Sequence, residues 1–132
     1  MFVTRKFAGG IKRVMERVTN LINWELQTTL EDKWGCKCSY FTRKMYADTP
    51  YHSHIFICVF PELENLYQNW KEINYYVAVK YQAKVESVIE KSNFYICLFT
   101  SEKLELEKKN QIEEDSFSAK KYVFEQKYNT DE

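Results

Sequence analysis

Three glycines, two prolines and two histidines are few for a chain of 132 residues, and each shortage removes a class of function. Phosphate cradles need a glycine-rich turn between a strand and a helix, whereas Gly9-Gly10 precedes every expected strand. A serine or cysteine nucleophile needs a histidine held by a third group, and His52 and His54, the only imidazoles, sit together at one strand start. Charge of one sign is missing as well: 19 lysines and arginines face 19 aspartates and glutamates, so the chain has no long-range field for a polyanion. Nucleic acid is therefore expected to be reached only through partners. Long apolar runs are absent too, since Ile55 to Phe60 and Phe94 to Phe99 fall far short of the about 20 residues a membrane helix takes. Lys12, Arg13, Glu16 and Arg17 interrupt the N-terminal region where a signal peptide would be uninterruptedly apolar. The expected compartment is the cytoplasm, with no cofactor, no metal and no catalytic residue assigned.

What the chain has in excess is rings, with ten tyrosines and nine phenylalanines making much of a 17% aromatic content. Large rigid rings give contact area at small entropic cost and are enriched where proteins meet. The charge, though balanced, is uneven: residues 1–17 are basic with a single acid, and residues 102–115 carry many glutamates. Both features suit a partner contact better than a substrate pocket.

The spacing of apolar residues predicts an α+β fold in one domain, residues 1–128, with 129–132 as a disordered tail. Ile11, Val14, Met15, Val18, Leu21, Ile22, Leu26, Leu30 and Trp34 recur at three- and four-residue steps, which predicts a long amphipathic helix near 10–34 closed by Gly35. Leu63, Leu66, Tyr67, Trp70, Ile73, Val77, Tyr81, Val85 and Val88 predict a second near 61–90, with Asn74 to Val77 its weakest stretch. Strands are expected near 36–41, 54–60 and 94–99, with a candidate edge strand at 121–125, in a small antiparallel sheet packed against both helices.

Two polar constellations deserve a geometric test. Cys36, Cys38, His52 and His54 are a complete zinc set by type. A hairpin centred on residues 46–48 would pair Cys36 near Cys58 and His54 near Tyr40, leaving Cys36 roughly 13 Å from the histidines at about 3.3 Å per residue. One ion cannot reach all four, so the cysteines are expected as reduced core thiols. Glu113, Glu114 and Asp115 followed by Lys120 and Lys121 superficially resemble the carboxylate and lysine set of metal-dependent nucleases. Such sites place acids on adjoining strands with the lysine two residues on, and that order is wrong here.

Trp70, the run Tyr75 to Glu86, the strand Ser92 to Phe99, and Ile112-Glu113-Glu114-Asp115 leading into Lys120 to Phe124 together resemble the middle-component proteins of ABC-three-component bacterial defence systems, which include Lamassu-like anti-phage operons. The resemblance spans residues 70–124. It implies an adaptor encoded between an SMC-like or Rad50-like ATPase and a toxic effector, often a nuclease, which it helps restrain. It brings no catalytic residues. Lys120 stands where the family usually has arginine, so a bidentate contact to carboxylate is lost at that position. Trp24, Trp70, Tyr75 and Tyr81, with Lys120 and Lys121, are the candidate partner-binding residues. The alternatives are a small metal-dependent nuclease or toxin using Glu113, Asp115 and Lys120, or an antitoxin or phage-encoded inhibitor binding one host protein.

Overall fold

The computed structural model describes residues 24–30 and 33–126. Among the described residues, five strands form one mixed sheet in chain order: β1 (Glu25–Leu30), β2 (Lys37–Met45), β3 (Tyr51–Phe60), β4 (Phe94–Thr100) and β5 (Lys120–Phe124). The first three form an antiparallel meander, and β4 and β5 join parallel to β3 and to each other. The sheet is therefore mixed and not antiparallel throughout, which follows from the helical connections: a parallel neighbour needs a crossover, and here each crossover carries a helix. Helix α1 (Leu63–Lys80) and the short α2 (Val88–Lys91) lie between β3 and β4, and α3 (Leu106–Glu113) lies between β4 and β5. No helix among the described residues is long and apolar enough to cross a membrane.

The expected helix near 10–34 is corrected over its last third, where Glu25–Leu30 is strand β1. The rest of that helix, residues 10–23, and the tail at 129–132 lie outside the described residues. Leu26 and Leu30 misled because a four-residue step keeps one face of a strand as well as one face of a helix. β-branched Thr28 and Thr29 then tip the local preference toward strand, and pairing with β2 settles it. A bulge between Leu26 and Thr28 shifts the register, so Leu26 faces Phe41 on one side of the sheet while Leu30 faces Cys38 on the other. Gly35 does adopt the left-handed conformation, at φ +71°, but in the β1–β2 connection. A Cβ there would approach Asn65 Nδ2 on α1 to 2.5 Å.

The second expected helix is broken at a different place from Asn74 to Val77. Helix α1 runs to Lys80, a 3-10 turn follows at Gln82–Lys84, and α2 restarts at Val88 with the Ser87 hydroxyl accepting from the Glu90 N–H. Tyr81 causes the break. Its ring swings into the core against Tyr40 at 4.7 Å and Phe56 at 5.1 Å, and the backbone leaves helical geometry to let it.

The two crossovers place α1 and α3 on one face of the sheet. Leu66, Trp70, Ile73 and Val77 of α1 and Ile112 of α3 bury against Cys38, Tyr40, Phe56, Cys58, Ile96, Leu98 and Val123. The opposite face carries a second cluster made of strand residues: Ile55, Ile57, Cys97, Phe99, Tyr122 and Phe124, with Trp24, Phe41, Val59 and Tyr95 at its margin. Burial on both faces explains why β3 and β4 read as continuous apolar runs.

Candidate functional site

Titratable side chains gather where β4 and β5 begin, in two separate networks. In the first, His54 stacks on Phe94 with centroids 4.0 Å apart and is buried between Tyr40 and Glu90. Its Nδ1 lies 2.8 Å from the Tyr40 hydroxyl and its Nε2 lies 2.8 Å from Glu90 Oε2. Burial pulls the imidazole pKa below its ordinary value despite the neighbouring carboxylate. A neutral ring fixes the roles: Tyr40 O–H donates to Nδ1, and Nε2–H donates to Glu90. The contact is thus a hydrogen bond to a carboxylate and not an ion pair. Glu90 also accepts from the His52 N–H at 3.2 Å. Burial works to raise the Glu90 pKa, but these two bonds outweigh it and hold the acid below its usual range. The Tyr40 hydroxyl is pushed up to about 12 by burial, then by Tyr81 and Glu90. With both ring nitrogens engaged, His54 fastens α2 to β3 and offers no lone pair to a substrate.

The second network shapes the turn from α3 into β5. Lys121 is buried, and its ammonium donates to Asp115 Oδ1 at 2.8 Å, to the Phe117 carbonyl at 2.9 Å and to the Ala119 carbonyl at 2.7 Å. Burial lowers the lysine pKa, while Asp115 opposes that. On Asp115, burial is outweighed by the bonds from Lys121 and from the Phe117 N–H, so its carboxyl stays below the ordinary value. Asn74 of α1 donates to the Phe117 carbonyl at 2.8 Å. Phe117 is thereby tied at its N–H and its carbonyl while its ring is 53% exposed. A ring presented from a fixed backbone spares a partner the cost of ordering that turn, as an interface anchor should. Ser118 accepts a positive φ of 64°, and its hydroxyl reaches Gln82 at 2.6 Å across the gap. Between the networks runs a groove of about 660 Å³, floored by Phe94 and lined by Val88, Lys91, Ser116 and Lys120.

The two constellations picked from sequence come apart. The hairpin register pairs Cys38 with Cys58, Tyr40 with Phe56 and Thr42 with His54, two positions from the expected pairing but on the same faces. The Cys58 thiol donates to Cys38 Sγ at 3.2 Å. Hydrogen bonding to Cys36 and Cys38 and full burial push the Cys58 pKa well up, so Cys58 is a protonated core thiol. Among the described residues, no three His, Cys, Asp or Glu side chains converge to hold a metal ion. Of the suggested nuclease set, Asp115 holds Lys121, Glu113 accepts the Val123 N–H at 2.8 Å, and Lys120 reaches toward the Ser92 carbonyl at 3.5 Å.

Of the candidate partner-binding residues, Trp70 and Lys121 are interior. Trp24 is half-buried at the margin of the second cluster, with the Arg43 guanidinium 5.9 Å from its ring, and Tyr81 is half-buried among rings. Tyr75 is exposed on the outer side of α1, and Lys120 is exposed above the Tyr95 ring at 5.6 Å. Missed were Phe117, Val88 and Glu90. Periodicity put Val88 on the buried stripe of the second helix and marked neither Phe117 nor Glu90, because the roles of all three depend on a turn and a four-residue helix.

These features define a mixed α+β module whose ionisable groups brace its turns. The chain belongs to the Middle Component 1 family of ABC-three component (ABC-3C) systems, whose sequence profile matches residues 54–132, from within β3 onward. No curated protein and no solved structure matches the chain.

Proposed function

We propose that this chain is a non-catalytic adaptor subunit of a bacterial anti-phage complex, working in the cytoplasm, bridging an SMC-like or Rad50-like ATPase and an effector nuclease and restraining that effector. Family membership supports a place in a three-component system. The single observation that carries the adaptor reading is the division of labour among side chains: His54, Glu90, Lys121 and Asp115 are bonded to one another and to backbone, whereas Tyr75, Val88 and Phe117 stand exposed. Groups so engaged are poorly placed for proton transfer or metal binding, and exposed rings on a tied backbone are what a docking surface uses.

The test is affinity capture of the chain from its native operon. Co-purification of an ATPase and an effector is expected, with effector activity rising when the chain is deleted. The purified chain, assayed on DNA with magnesium or manganese, is expected to leave it intact. Metal-dependent cleavage that disappears in a folded Asp115→Ala chain would replace the adaptor by a nuclease.

A further inference from the structure

The balanced total of charges hides a local imbalance. Glu25 is the single acid in the five strands, and its pairing with Thr42 puts it on the helix-covered face. The opposite face therefore carries no strand carboxylate, while the register places Lys37, Arg43 and Lys120 on it. Its middle is buried, with Ile55, Ile57, Cys97 and Phe99 at most 2% exposed. The end where β4 and β5 begin is more open: Trp24, Arg43, Tyr51 and Tyr95 are half-buried and Lys120 is exposed.

At that end cations and rings alternate. The Arg43 guanidinium lies 5.9 Å from the Trp24 ring centroid, and the Lys120 ammonium lies 5.6 Å from that of Tyr95. Burial and then the Tyr51 hydroxyl raise the Tyr95 pKa, so these two rings are neighbours. From Trp24 to Lys120 the row crosses all five strands, about 19 Å at about 4.8 Å per strand spacing. Among the described residues, neither Arg43 nor Lys120 has a carboxylate within ion-pair distance.

Such a row offers π-faces and positive charge together. An acidic polypeptide would use the charge alone, whereas a nucleic acid with unpaired bases uses both, base on ring and phosphate on cation. A duplex hides its base faces. The Ser53 and Tyr95 hydroxyls, which could donate to a ribose 2′-OH, are both spent on Asn93 Oδ1, at 3.5 and 3.1 Å. We propose that this end of the sheet binds single-stranded DNA, with bases stacked on Trp24, Tyr51 and Tyr95 and phosphates held by Arg43 and Lys120. The site stands apart from the adaptor reading, which neither requires nor predicts it.

Fluorescence anisotropy of a labelled oligothymidylate of about 15 nucleotides with the full chain tests this. A Kd of about 10⁻⁵ M is expected, with log K falling by about 1.4 per log unit of salt for two phosphate contacts. An Arg43→Glu, Lys120→Glu chain should bind at least about tenfold more weakly. A Lys71→Glu, Lys108→Glu chain, with the same charge change beside the Trp70 and Tyr67 rings of α1, should stay within about twofold. Tyr51→Ala should weaken binding about tenfold with the salt slope unchanged, which loss of charge would not do. None of the changed residues is buried, and thermal unfolding of each variant checks that the fold is kept. Lack of binding up to about 10⁻⁴ M, equal loss in both charge-swapped chains, or equal affinity for the paired duplex overturns the proposal. Equal affinity for polyglutamate of the same length overturns it in favour of an acidic polypeptide, and a preference of about tenfold for oligouridylate replaces DNA by RNA.

Discussion

On the face covered by α1 and α3, the strands bury two thiols, an imidazole and a lysine among their aliphatic and aromatic groups, with Cys36 just before β2 beside them; on the opposite face the same strands bury isoleucine, phenylalanine, tyrosine and one thiol. The first face is held by packing and by directed bonds, since His54 fastens α2 and Lys121 and Asn74 fasten the turn before β5. The second packs ring on ring, with Phe99 stacked on Phe124 at 4.8 Å and Tyr95 on Tyr122 at 6.4 Å. Directed bonds fix where loops go, whereas apolar contact fixes only that surfaces stay together. The groove and the presented Phe117 ring belong to the side where loops are fixed.

The largest effects come from truncating one large ring on each face. Phe56, fully buried and stacked on Tyr40 at 4.4 Å, should lose about 3–5 kcal/mol as Phe56→Ala. Phe99→Ala, at a ring equally buried and stacked on Phe124, should cost about the same, and clearly less if the second face opens separately from the rest. Urea unfolding of both variants measures the difference, and a Phe99→Ala cost equal to that of Phe56→Ala shows the two faces to be one cooperative unit. Next is Asp115→Ala, which leaves the Lys121 ammonium with two carbonyls and no counter-charge. Asp115 is partly wet, so the expected loss is about 2–3 kcal/mol and not the full cost of orphaning a buried charge. Lys121→Met in the same background should recover part of it.

Strands β2, β3 and β4 were legible because aromatic and β-branched runs bounded by Gly35, Pro50 and Pro61 have few other readings. Strand β1 was not, since the four-residue step of Leu26 and Leu30 suits either period and the bulge between them erases alternation. The end of α1 was hidden for a tertiary reason: Tyr81 fits the helical stripe but is worth more against Tyr40 and Phe56. The nearness of Tyr40 to His54 was visible from the hairpin alone. Glu90 was not, because it lies 36 residues from His54 in sequence, on a four-residue helix placed by the crossover into β4. Trp70 and Lys121 looked available for docking because residue type does not say which side of a helix or strand meets the core.

Smaller effects sharpen the contrast between directed bonds and apolar contact. Gly35→Ala puts a methyl into Asn65 and forces an unfavourable φ, so about 2 kcal/mol should be lost. Asn65→Ala in the same chain should return only the steric part. Acidification tests His54. Its folded pKa lies below the ordinary 6.5, so between those two values the unfolded chain binds more protons and stability rises with pH. The contribution is complete above about pH 6.5 and lost as pH falls through the folded value, with a slope of at most about 1.4 kcal/mol per pH unit. Glu90, also lowered, loses its contribution in the window below its ordinary 4.5. A His54→Gln chain should lack the upper window and keep the lower dependence on its remaining carboxylates, as unfolding curves at successive pH values will show.

The smallest expected change in stability tests the surface itself. Tyr75 is 62% exposed on the outward side of α1, where Val79, one turn on, is also exposed. Replacing it with alanine removes no core contact and improves helix propensity, so unfolding should move by less than about 0.5 kcal/mol. Phe117→Ala should be almost as mild, because the turn is held by Asp115, Asn74 and Lys121 through backbone atoms that alanine retains. Trp70→Ala, five residues before Tyr75 but buried against the sheet, should instead cost about 3–5 kcal/mol. Complex recovery from the operon then separates surface from scaffold. Loss of a partner in a Tyr75→Ala or Phe117→Ala chain of unchanged stability marks the ring as a contact. Full recovery in both, together with loss only in Trp70→Ala, would move docking away from α1 and the turn before β5, toward the exposed edge strand β1 or the hairpin tip at Tyr46.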